Sequence, residues 1–320
     1  MKKLLALVVV LGLSAAVARP GPVERHGALR VSGARVVGDD GKPVSLMGNS
    51  LFWSQWMGGF WNADCVNWLK QDWKAGIVRA AMGVEAGGYL EHPAEEQARV
   101  EKVVDACIAA GLYVIIDWHD HHAMAHTQAA VTFFQAMAKK YGRQPNVIYE
   151  IFNEPERVSW HNEVKPYAEE VIAAIRAIDP AHLIVVGSPH WSQDVDVAAG
   201  DPIKGANIAY ALHFYAGTHK QGLRDKAESA MKQGAALFVT EWGTCKSDGN
   251  GQIDEASTAE WMAFLRQWQL CACNWAVSDK VETSSILVPG AAITGGWKDD
   301  DLTASGKLAR RWMREWAEAP

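Results

Sequence analysis

Short apolar runs alternate with amphipathic helical patterns along most of the chain. Eight runs are nearly continuous in apolar residues, which is typical of strands that are covered on both faces. They span residues 46–52, 77–82, 112–118, 147–152, 183–187, 208–214, 237–242 and 273–277. Between them, apolar residues recur at the i, i+3, i+4 spacing of a helix, as in Val100, Val103 and Val104 ahead of Gly111. The pattern therefore predicts repeated strand–helix units.

Eight such units favour a single closed (β/α)8 barrel, the TIM-barrel fold. A doubly wound open sheet is the alternative, but the sequence contains neither G-x-G-x-x-G nor a P-loop. Residues 28–48 are predicted to form a short β-hairpin in front of the barrel, with its turn at Asp39-Asp40-Gly41. Because no linker rich in proline or serine divides the chain, residues 19–320 are predicted to be one domain.

The first 18 residues have the three parts of a signal peptide. Lys2 and Lys3 carry positive charge, residues 4–13 are apolar, and the small residues at 16–18 form a cleavage site. The apolar part is too short to cross a bilayer comfortably, which disfavours the alternative of a membrane anchor. We therefore expect secretion to the periplasm or the medium.

Export also bears on the five cysteines, because exported proteins meet oxidising conditions. An odd number leaves at least one thiol unpaired, and the spacings match no zinc-binding pattern. We expect small, buried apolar side chains with at most one disulfide among them: Cys65, Cys107, Cys245, Cys271 and Cys273.

Tryptophan accounts for half of the aromatic residues, with 15 Trp against 8 Phe and 7 Tyr. This excess suggests flat apolar platforms in a cleft. The formal net charge is −6 and no basic stripe is present. Nucleic acid is therefore a poor partner, because its binding depends on neutralising phosphates. The surface is compatible with an uncharged or cationic ligand, and we expect a monomer with no nucleic-acid or membrane partner.

Functional side chains of a (β/α)8 barrel cluster after the carboxyl ends of its strands, because those loops share one face. Polar and aromatic residues follow or end the predicted strands at Arg79, His119, Asn153, Glu154, His190, Trp191, His213, Tyr215, Glu241, Trp242 and Trp275. We expect the functional residues to cluster among these positions, on that one face of the barrel.

Two glutamates of this set suggest a reaction. Glu154 follows the fourth predicted strand and Glu241 ends the seventh, so a closed ring brings them face to face across its mouth. Retaining glycoside hydrolysis needs such a pair, about 5–5.5 Å apart, because one acid protonates the leaving oxygen while the other attacks the anomeric carbon. For Glu154 alone, a helix cap or a surface acid is an equal alternative, but the pairing with Glu241 favours catalysis.

The sequence resembles glycoside hydrolase family 5, and within it the bacterial endoglucanases, or cellulases. The resemblance runs from about residue 29 to residue 316 and is carried by segments that include VIYEIFNEP, HFYAGTH, LFVTEWGT and NWAVSDK. It implies a catalytic (β/α)8 barrel that hydrolyses internal β-1,4-glucosidic bonds of cellulose, binds cello-oligosaccharides and needs no metal or cofactor.

The resemblance also implies roles for particular residues. Glu154 matches the family's acid/base and Glu241 its nucleophile. Asn153 matches the residue that holds the sugar 2-hydroxyl, while Arg79 and Tyr215 match partners that keep the nucleophile ionised. We therefore expect Arg79 to favour the carboxylate form of Glu241, and the charge of Glu241 to raise the pKa of Glu154.

Other positions match contacts along the cleft. His119 and His213 match residues that bind sugar or orient the glutamates. Phe52 and Gly83 depart from the pattern of some relatives, which carry a His and a Tyr there, so altered sugar contacts with retained catalysis are expected. Three aromatic platforms and two hydroxyl-binding residues complete the implied set: Trp56, Trp191, Trp275, Lys280 and Glu282.

Functions of other classes remain open. A metal-dependent barrel hydrolase would use zinc-binding histidines after a strand, although such a pair usually follows the first strand and here it follows the third. The candidates are His119, His121, His122 and His126. Loss of activity in EDTA with recovery on adding zinc would support this alternative. A non-catalytic sugar-binding protein would keep the tryptophans but lack one of the two glutamates.

The substrate has alternatives too. Mixed-linkage β-glucan, mannan and xylan differ from cellulose in linkage or hydroxyl orientation, and a few hydrogen bonds distinguish them. The segments WSQDV and HFYAGTH, together with Lys280 and Glu282, favour β-1,4-glucan.

Overall fold

Ten strands are arranged as one hairpin and one closed barrel. The computed structural model describes residues 20–318, so the predicted signal peptide lies outside the described residues. Strands β3 to β10 are parallel and follow one another around the barrel in chain order, and β10 closes it by pairing with β3. The strands are β1 (Arg30–Ser32), β2 (Arg35–Val37), β3 (Met47–Leu51), β4 (Ile77–Gly83), β5 (Tyr113–His119), β6 (Val147–Glu150), β7 (Ile184–Val186), β8 (Ile208–Tyr215), β9 (Leu237–Gly243) and β10 (Ala272–Val277).

Helices surround the barrel and connect its strands. They are α1 (Pro22–His26), α2 (Ser54–Met57), α3 (Ala63–Gln71), α4 (Pro93–Ala110), α5 (Thr127–Tyr141), α6 (Lys165–Arg176), α7 (Pro189–Ser192), α8 (Val195–Gly200), α9 (Gln221–Lys232), α10 (Glu255–Trp268) and α11 (Ala304–Glu318). Single turns of 3-10 or π-helix lie at Gly58–Phe60, Ala123–His126, Trp160–Val164 and Asp299–Asp301. Within residues 20–318, no helix is both long and apolar enough to span a bilayer.

The predicted (β/α)8 barrel is confirmed. All eight predicted strands are present, and their observed bounds agree with the predicted ones to within two residues.

The inside of the barrel changes from apolar to charged along the strands. Near their amino-terminal ends, the inward side chains pack against one another, among them Tyr113, Ile115, Ile148, Val185, Ala211 and Phe238. Alternate residues of a strand face the same side, so the inward phase of β5 continues with Asp117 and His119. Both are buried. The outward phase of β5, with Val114, Ile116 and Trp118, packs under the helices. The apolar core therefore ends where a layer of charged side chains begins.

A bulge in β9 changes which residues face inward. Ala211 of β8 pairs with Phe238, whereas His213 pairs with Glu241, so β9 has one residue more than β8 over this stretch. The pairing of β9 with β10 is offset at the same place. As a result, the consecutive residues Thr240 and Glu241 both reach into the barrel, which a regular strand would not allow.

The N-terminal hairpin is present, but its predicted turn was wrong. Val31 pairs with Val36, and the chain reverses at Gly33 and Ala34 rather than at residues 39–41. Gly33 has φ +57°, which glycine adopts without steric cost. Residues 39–41 form a second turn instead, closed by the bond from the amide of Gly38 to the carbonyl of Lys42 (3.0 Å).

All five cysteines are free thiols, and all five are buried. Burial raises the pKa of the Cys65 thiol to about 12, so it is un-ionised at neutral pH. They are therefore packing residues, as expected, and the single disulfide that was allowed for is not formed.

Candidate active site

A fully buried arginine lies at the centre of the charged layer. Arg79, on β4, donates from Nε to Glu150 Oε2 (2.7 Å) and from Nη1 to Glu241 Oε2 (2.9 Å). Its Nη2 lies 2.9 Å from Asp117 Oδ2. Burial opposes the positive charge, but the surrounding carboxylates outweigh burial and raise the pKa of Arg79 well above its usual value. The guanidinium therefore holds side chains from β5, β6 and β9 in a fixed arrangement.

Both oxygens of Glu241 are held by other side chains. Tyr215, at the end of β8, donates its hydroxyl to Oε1 at 2.6 Å, and Arg79 binds Oε2. The neighbouring Gly243 makes room for the Tyr215 ring, since a Cβ there would lie 2.3 Å from a ring carbon. Two donors thus hold the carboxylate in place, and they are the two residues that the family resemblance implies as partners of Glu241.

Glu154 lies opposite Glu241, just beyond the end of β6. An oxygen of Glu154 and an oxygen of Glu241 lie within 4.8 Å of each other. His213 donates from Nδ1 to Glu154 Oε1 at 2.8 Å. The side chain of Glu154 is 15% exposed and that of Glu241 6%, so the first is open to the cleft while the second is set deeper. The fold therefore brings together the two glutamates that the sequence singled out.

The charges of these two glutamates differ from the sequence expectation. Burial favours a neutral His213, but the carboxylates of Glu150 and Glu154 outweigh burial and raise its pKa to about 9. Burial also disfavours ionised Glu154, but the His213 cation lowers the pKa of Glu154 below its usual value. The pKa of Glu241 is raised, first by burial and then by the charge of Glu154.

The expectation was wrong because it considered only Arg79 and Glu241. The pairing of Glu154 with His213 was not visible in the sequence, and a cation in contact with Glu154 has more effect than an anion across the cleft.

His119 is neutral and fixed in orientation. Its Nδ1 donates to Asp117 Oδ2 at 2.7 Å, and its ring stacks on Trp275 with an interplanar angle of 4°. Burial and the nearby Arg79 lower the pKa of His119 well below its usual value. Burial raises the pKa of Asp117 well above its usual value. Asp117 Oδ2 also accepts from Arg79 Nη2 at 2.9 Å, so this oxygen carries no proton and accepts from Nδ1, which leaves Nε2 of His119 as an acceptor.

Asn153 is anchored through its oxygen. Arg79 Nη2 donates to Asn153 Oδ1 at 2.6 Å, and Ser192 Oγ donates to the Asn153 carbonyl at 2.7 Å. No group among residues 20–318 accepts a hydrogen bond from Asn153 Nδ2. The amide thus retains one donor that is available for another partner.

Aromatic rings line the cleft around these charges. Trp275 packs 5.1 Å from Phe52, and Trp53 meets the His119 ring edge-on at 4.2 Å. Trp56 lies farther out, 5.1 Å from Trp53, and is 54% exposed. The predicted platforms Trp56 and Trp275 therefore belong to one aromatic row.

Trp191 lines the opposite part of the cleft, together with Glu154 and Tyr215. It sits in α7, where His190, Trp191 and Ser192 all have φ between +55° and +60°. This conformation costs on the order of 1 kcal/mol or more for each residue. Backbone bonds from Trp191 to the Pro155 carbonyl (2.8 Å) and from His190 to the Glu156 carbonyl (2.8 Å) hold it.

Lys280 and Glu282 lie at the same cleft and form an ion pair of 2.5 Å. Lys280 Nζ also lies 5.2 Å from the centre of the Phe52 ring. Gly83, like Phe52, departs from the pattern of some relatives. A Cβ on Gly83 would lie 1.9 Å from Gln55 Oε1, so Gln55 fills the space that a larger residue would need. Phe52 thus contacts the cleft residue Lys280, and Gln55 occupies the space beside Gly83.

Several residues of the site were missed in the sequence. Asp117 and Glu150 are acidic residues inside otherwise apolar strands, and that interruption was a usable signal. Trp53 stands beside Trp56 and could have been included as a second aromatic of the same segment. Thr240 shares the inward face of Phe238 by regular alternation and bonds to His213, so it too could have been included.

The four histidines of the metal alternative do not form one site. His119 binds Asp117 and His121 faces Glu154 at 3.8 Å. His122 and His126 instead face Glu85, at 3.1 Å and 3.7 Å, away from the glutamate pair. Glu154, His213 and Glu241 do place ligating atoms within 4.8 Å. Because His213 has a pKa of about 9, it is protonated at neutral pH and pairs with Glu154 as a cation.

Comparison with known proteins identifies relatives over nearly the whole chain. The family model described as cellulase (glycosyl hydrolase family 5) matches residues 37–281. Endoglucanase Z of Dickeya dadantii is 50% identical over 98% of this chain and 73% of its own length. A structure from Cytophaga hutchinsonii is 53% identical and superposes with a TM-score of 0.92, covering 93% of this chain and 98% of that one.

A solved structure of one of these relatives is described with a bound ligand. The catalytic domain of a Thermobifida fusca endoglucanase, described in complex with cellotetraose, is 33% identical and has a TM-score of 0.89. The match covers 92% of this chain and 100% of that chain.

We predict that Tyr215→Phe moves the acidic limb of the pH–activity profile to higher pH. The lost hydroxyl bond stabilises the carboxylate of Glu241, so the pKa of Glu241 rises further without it. A group with a higher pKa protonates at higher pH, and activity is lost earlier as pH falls. We also expect kcat to fall about 10- to 100-fold, as for a hydrogen bond to a charged group.

Tyr210→Phe is the matched control, because Tyr210 lies on the same strand and, within residues 20–318, its hydroxyl accepts only from the Ile203 amide (3.0 Å). A profile of Tyr215→Phe that coincides with that of Tyr210→Phe would contradict the assigned contact.

Proposed function

Since the chain belongs to the cellulases of glycoside hydrolase family 5, it is a glycoside hydrolase. We propose that it is a secreted endo-β-1,4-glucanase with a retaining mechanism. The observation that carries the proposal is the approach of Glu154 and Glu241 to within 4.8 Å across the cleft. A separation of this size suits double displacement, because inverting enzymes need room for water between carboxyl groups about 6.5–9.5 Å apart.

Glu241 is the proposed nucleophile. Arg79 and Tyr215 bind its two oxygens, so an ionised carboxylate is held at a fixed position. Attack on the anomeric carbon forms a glycosyl ester and breaks the glycosidic bond. The ester is neutral, so Arg79 is then left to balance the remaining acids of the charged layer.

Glu154 is the proposed acid/base, and His213 is its proton source. The His213 cation donates toward Glu154 Oε1, and a proton that shifts along this 2.8 Å bond leaves Glu154 as a neutral acid facing the leaving oxygen. Once Glu241 is esterified, its charge no longer opposes ionisation of Glu154. Glu154 can then act as a base that deprotonates water.

Asn153 and His119 are proposed to bind the sugar that reacts. The Nδ2 group of Asn153 is an available donor beside Glu154, which suits the 2-hydroxyl next to the anomeric carbon. Nε2 of His119 is an acceptor for another hydroxyl. Trp275 offers a ring face under the same sugar unit.

The remaining predicted residues are proposed to bind neighbouring sugars. Trp56 and Trp191 extend the aromatic surface along the cleft, and Lys280 and Glu282 offer a donor and an acceptor for hydroxyls. Cellulose is the favoured substrate, because the relatives above are named as endoglucanases and one is described with cellotetraose. Mixed-linkage β-glucan and mannan are the second candidates with the same fold and mechanism.

Residues 1–18 are proposed to be a signal peptide and residues 19–320 the catalytic domain. Secretion would then produce a chain that begins at Arg19. N-terminal sequencing of the exported protein checks this, and retention of residues 1–18 would contradict it. We also propose that the enzyme acts as a monomer, without a nucleic-acid or membrane partner.

We predict that Glu241→Gln lowers kcat on carboxymethylcellulose by about a thousandfold or more, because the amide is not a nucleophile. Binding of cellotetraose, measured by isothermal titration calorimetry, should persist within a few-fold. Glu156→Gln is the control, since Glu156 is a partly exposed acid two residues beyond Glu154. Turnover by Glu241→Gln at the rate of the control would show that Glu241 is not the nucleophile.

We predict that reducing-end release is fastest on carboxymethylcellulose or mixed-linkage β-glucan and at least about tenfold slower on mannan. The Asn153 donor is placed for an equatorial 2-hydroxyl, as in glucose, whereas the 2-hydroxyl of mannose is axial and points elsewhere. The Asn153 donor would then stay unpaired, and an unpaired polar group in a binding site strongly lowers the reaction rate. Parallel assays on these polysaccharides and on xylan test this. A preference for mannan would overturn the proposed substrate and leave the proposed mechanism standing.

A further inference from the structure

A second group of ligating side chains lies beside the cleft, on the rim of the barrel. Glu85 comes from the loop after β4, and Asp120, His122 and His126 come from the loop after β5. We call these four residues the rim cluster. They make no contact with Glu241 or Arg79, and the proposed hydrolysis does not use them.

Three members of the rim cluster converge. One ligating atom from each of Glu85, Asp120 and His122 lies within 4.8 Å of the others. Glu85 Oε2 and His122 Nδ1 are already 3.1 Å apart. Around zinc, with metal–ligand bonds of about 2.0–2.1 Å, neighbouring tetrahedral donors are about 3.3 Å apart. The side chains of Glu85 and His122 are 43% and 55% exposed, so both can move by the small distance that coordination requires.

The third member is fixed in place by its surroundings. Asp120 is buried, and its Oδ2 accepts from His126 Nδ1 (2.8 Å) and Trp118 Nε1 (3.2 Å). Its Oδ1 accepts from the His122 amide at 2.8 Å. His126 turns its other nitrogen toward Glu85 Oε1, at 3.7 Å. Such outer contacts orient metal ligands and tune their affinity.

We propose that the rim cluster is a binding site for a divalent transition-metal ion, with Glu85, Asp120 and His122 as ligands and His126 as a supporting residue. The imidazole nitrogen favours zinc and similar ions over calcium and magnesium, which prefer oxygen-only sites. Open coordination positions on the exposed side are filled by water.

The ion links two loops and takes no part in the chemistry. Gln55 Nε2 donates to the Glu85 carbonyl at 3.2 Å, which connects the first loop to the segment that carries Trp56. His121 stands between Asp120 and His122, and its Nδ1 lies 3.2 Å from the Glu154 carbonyl. Binding of the ion therefore stabilises the folded state and stiffens one edge of the cleft, whether or not the substrate is cellulose.

The test is zinc titration of the full-length mature protein, free of any affinity tag and stripped with EDTA. Calorimetry should give one strong site per chain, and the melting temperature should rise by about 3 °C or more at saturating zinc. The double variant Glu85→Gln/His122→Gln should bind zinc at least about 100-fold more weakly. Its two side chains are partly exposed, so it should fold, and its melting temperature without zinc checks this.

Two further variants make the result specific. His161→Gln is the matched control, because His161 is an exposed histidine that pairs with a carboxylate, Asp201, at 2.9 Å. It should bind zinc like the parent. Glu241→Gln changes the second group of potential ligands, which is formed by Glu154, His213 and Glu241. This variant should also bind zinc as tightly as the parent protein.

The proposal is overturned if the parent binds no zinc at millimolar concentration. It is equally overturned if the double variant binds as tightly as the parent, or if binding is lost in Glu241→Gln instead. Since these readouts do not depend on turnover, they are independent of the proposed function.

Discussion

The buried positive charge of Arg79 is the constraint on which the rest of the site depends. A guanidinium without contact to water is stable only when acids surround it, and Asp117, Glu150 and Glu241 supply them from three different strands. The same side chain also fixes the amide of Asn153. Glu241, the amide of Asn153 and three barrel strands are therefore positioned by one group, and losing Arg79 would leave several acids buried without a counter-charge.

Most of the fold and the identity of the two glutamates could be predicted from the sequence. Strand positions followed from apolar runs such as residues 112–118, because a strand buried on both faces leaves a continuous signal. Glu154 and Glu241 stood out because they end or follow such runs and because the surrounding segments resemble a known family. The strand positions and the two glutamates could therefore be predicted without knowledge of side-chain contacts.

The electrostatic details could not be predicted, because they depend on contacts between distant strands. The pairing of His213 with Glu154 joins residues 59 positions apart, and it reverses the expected direction of the Glu154 pKa shift. The inward direction of Glu241 depends on one extra residue in β9, because regular alternation from the inward Phe238 would turn Glu241 outward. A register shift of a single residue changes the face of the sheet on which a side chain lies, and the local amino-acid composition does not indicate such a shift.

The central claim is that Glu241 becomes covalently attached to the sugar while Glu154 moves the protons. It is tested most directly by incubating the enzyme with a 2-deoxy-2-fluoro-β-cellobioside that has an activated leaving group, and then sequencing its peptides by mass spectrometry. We expect one added fluorocellobiosyl group, located on Glu241. A label on Glu154 or another residue would contradict it, and so would rapid turnover that releases the α-anomer first.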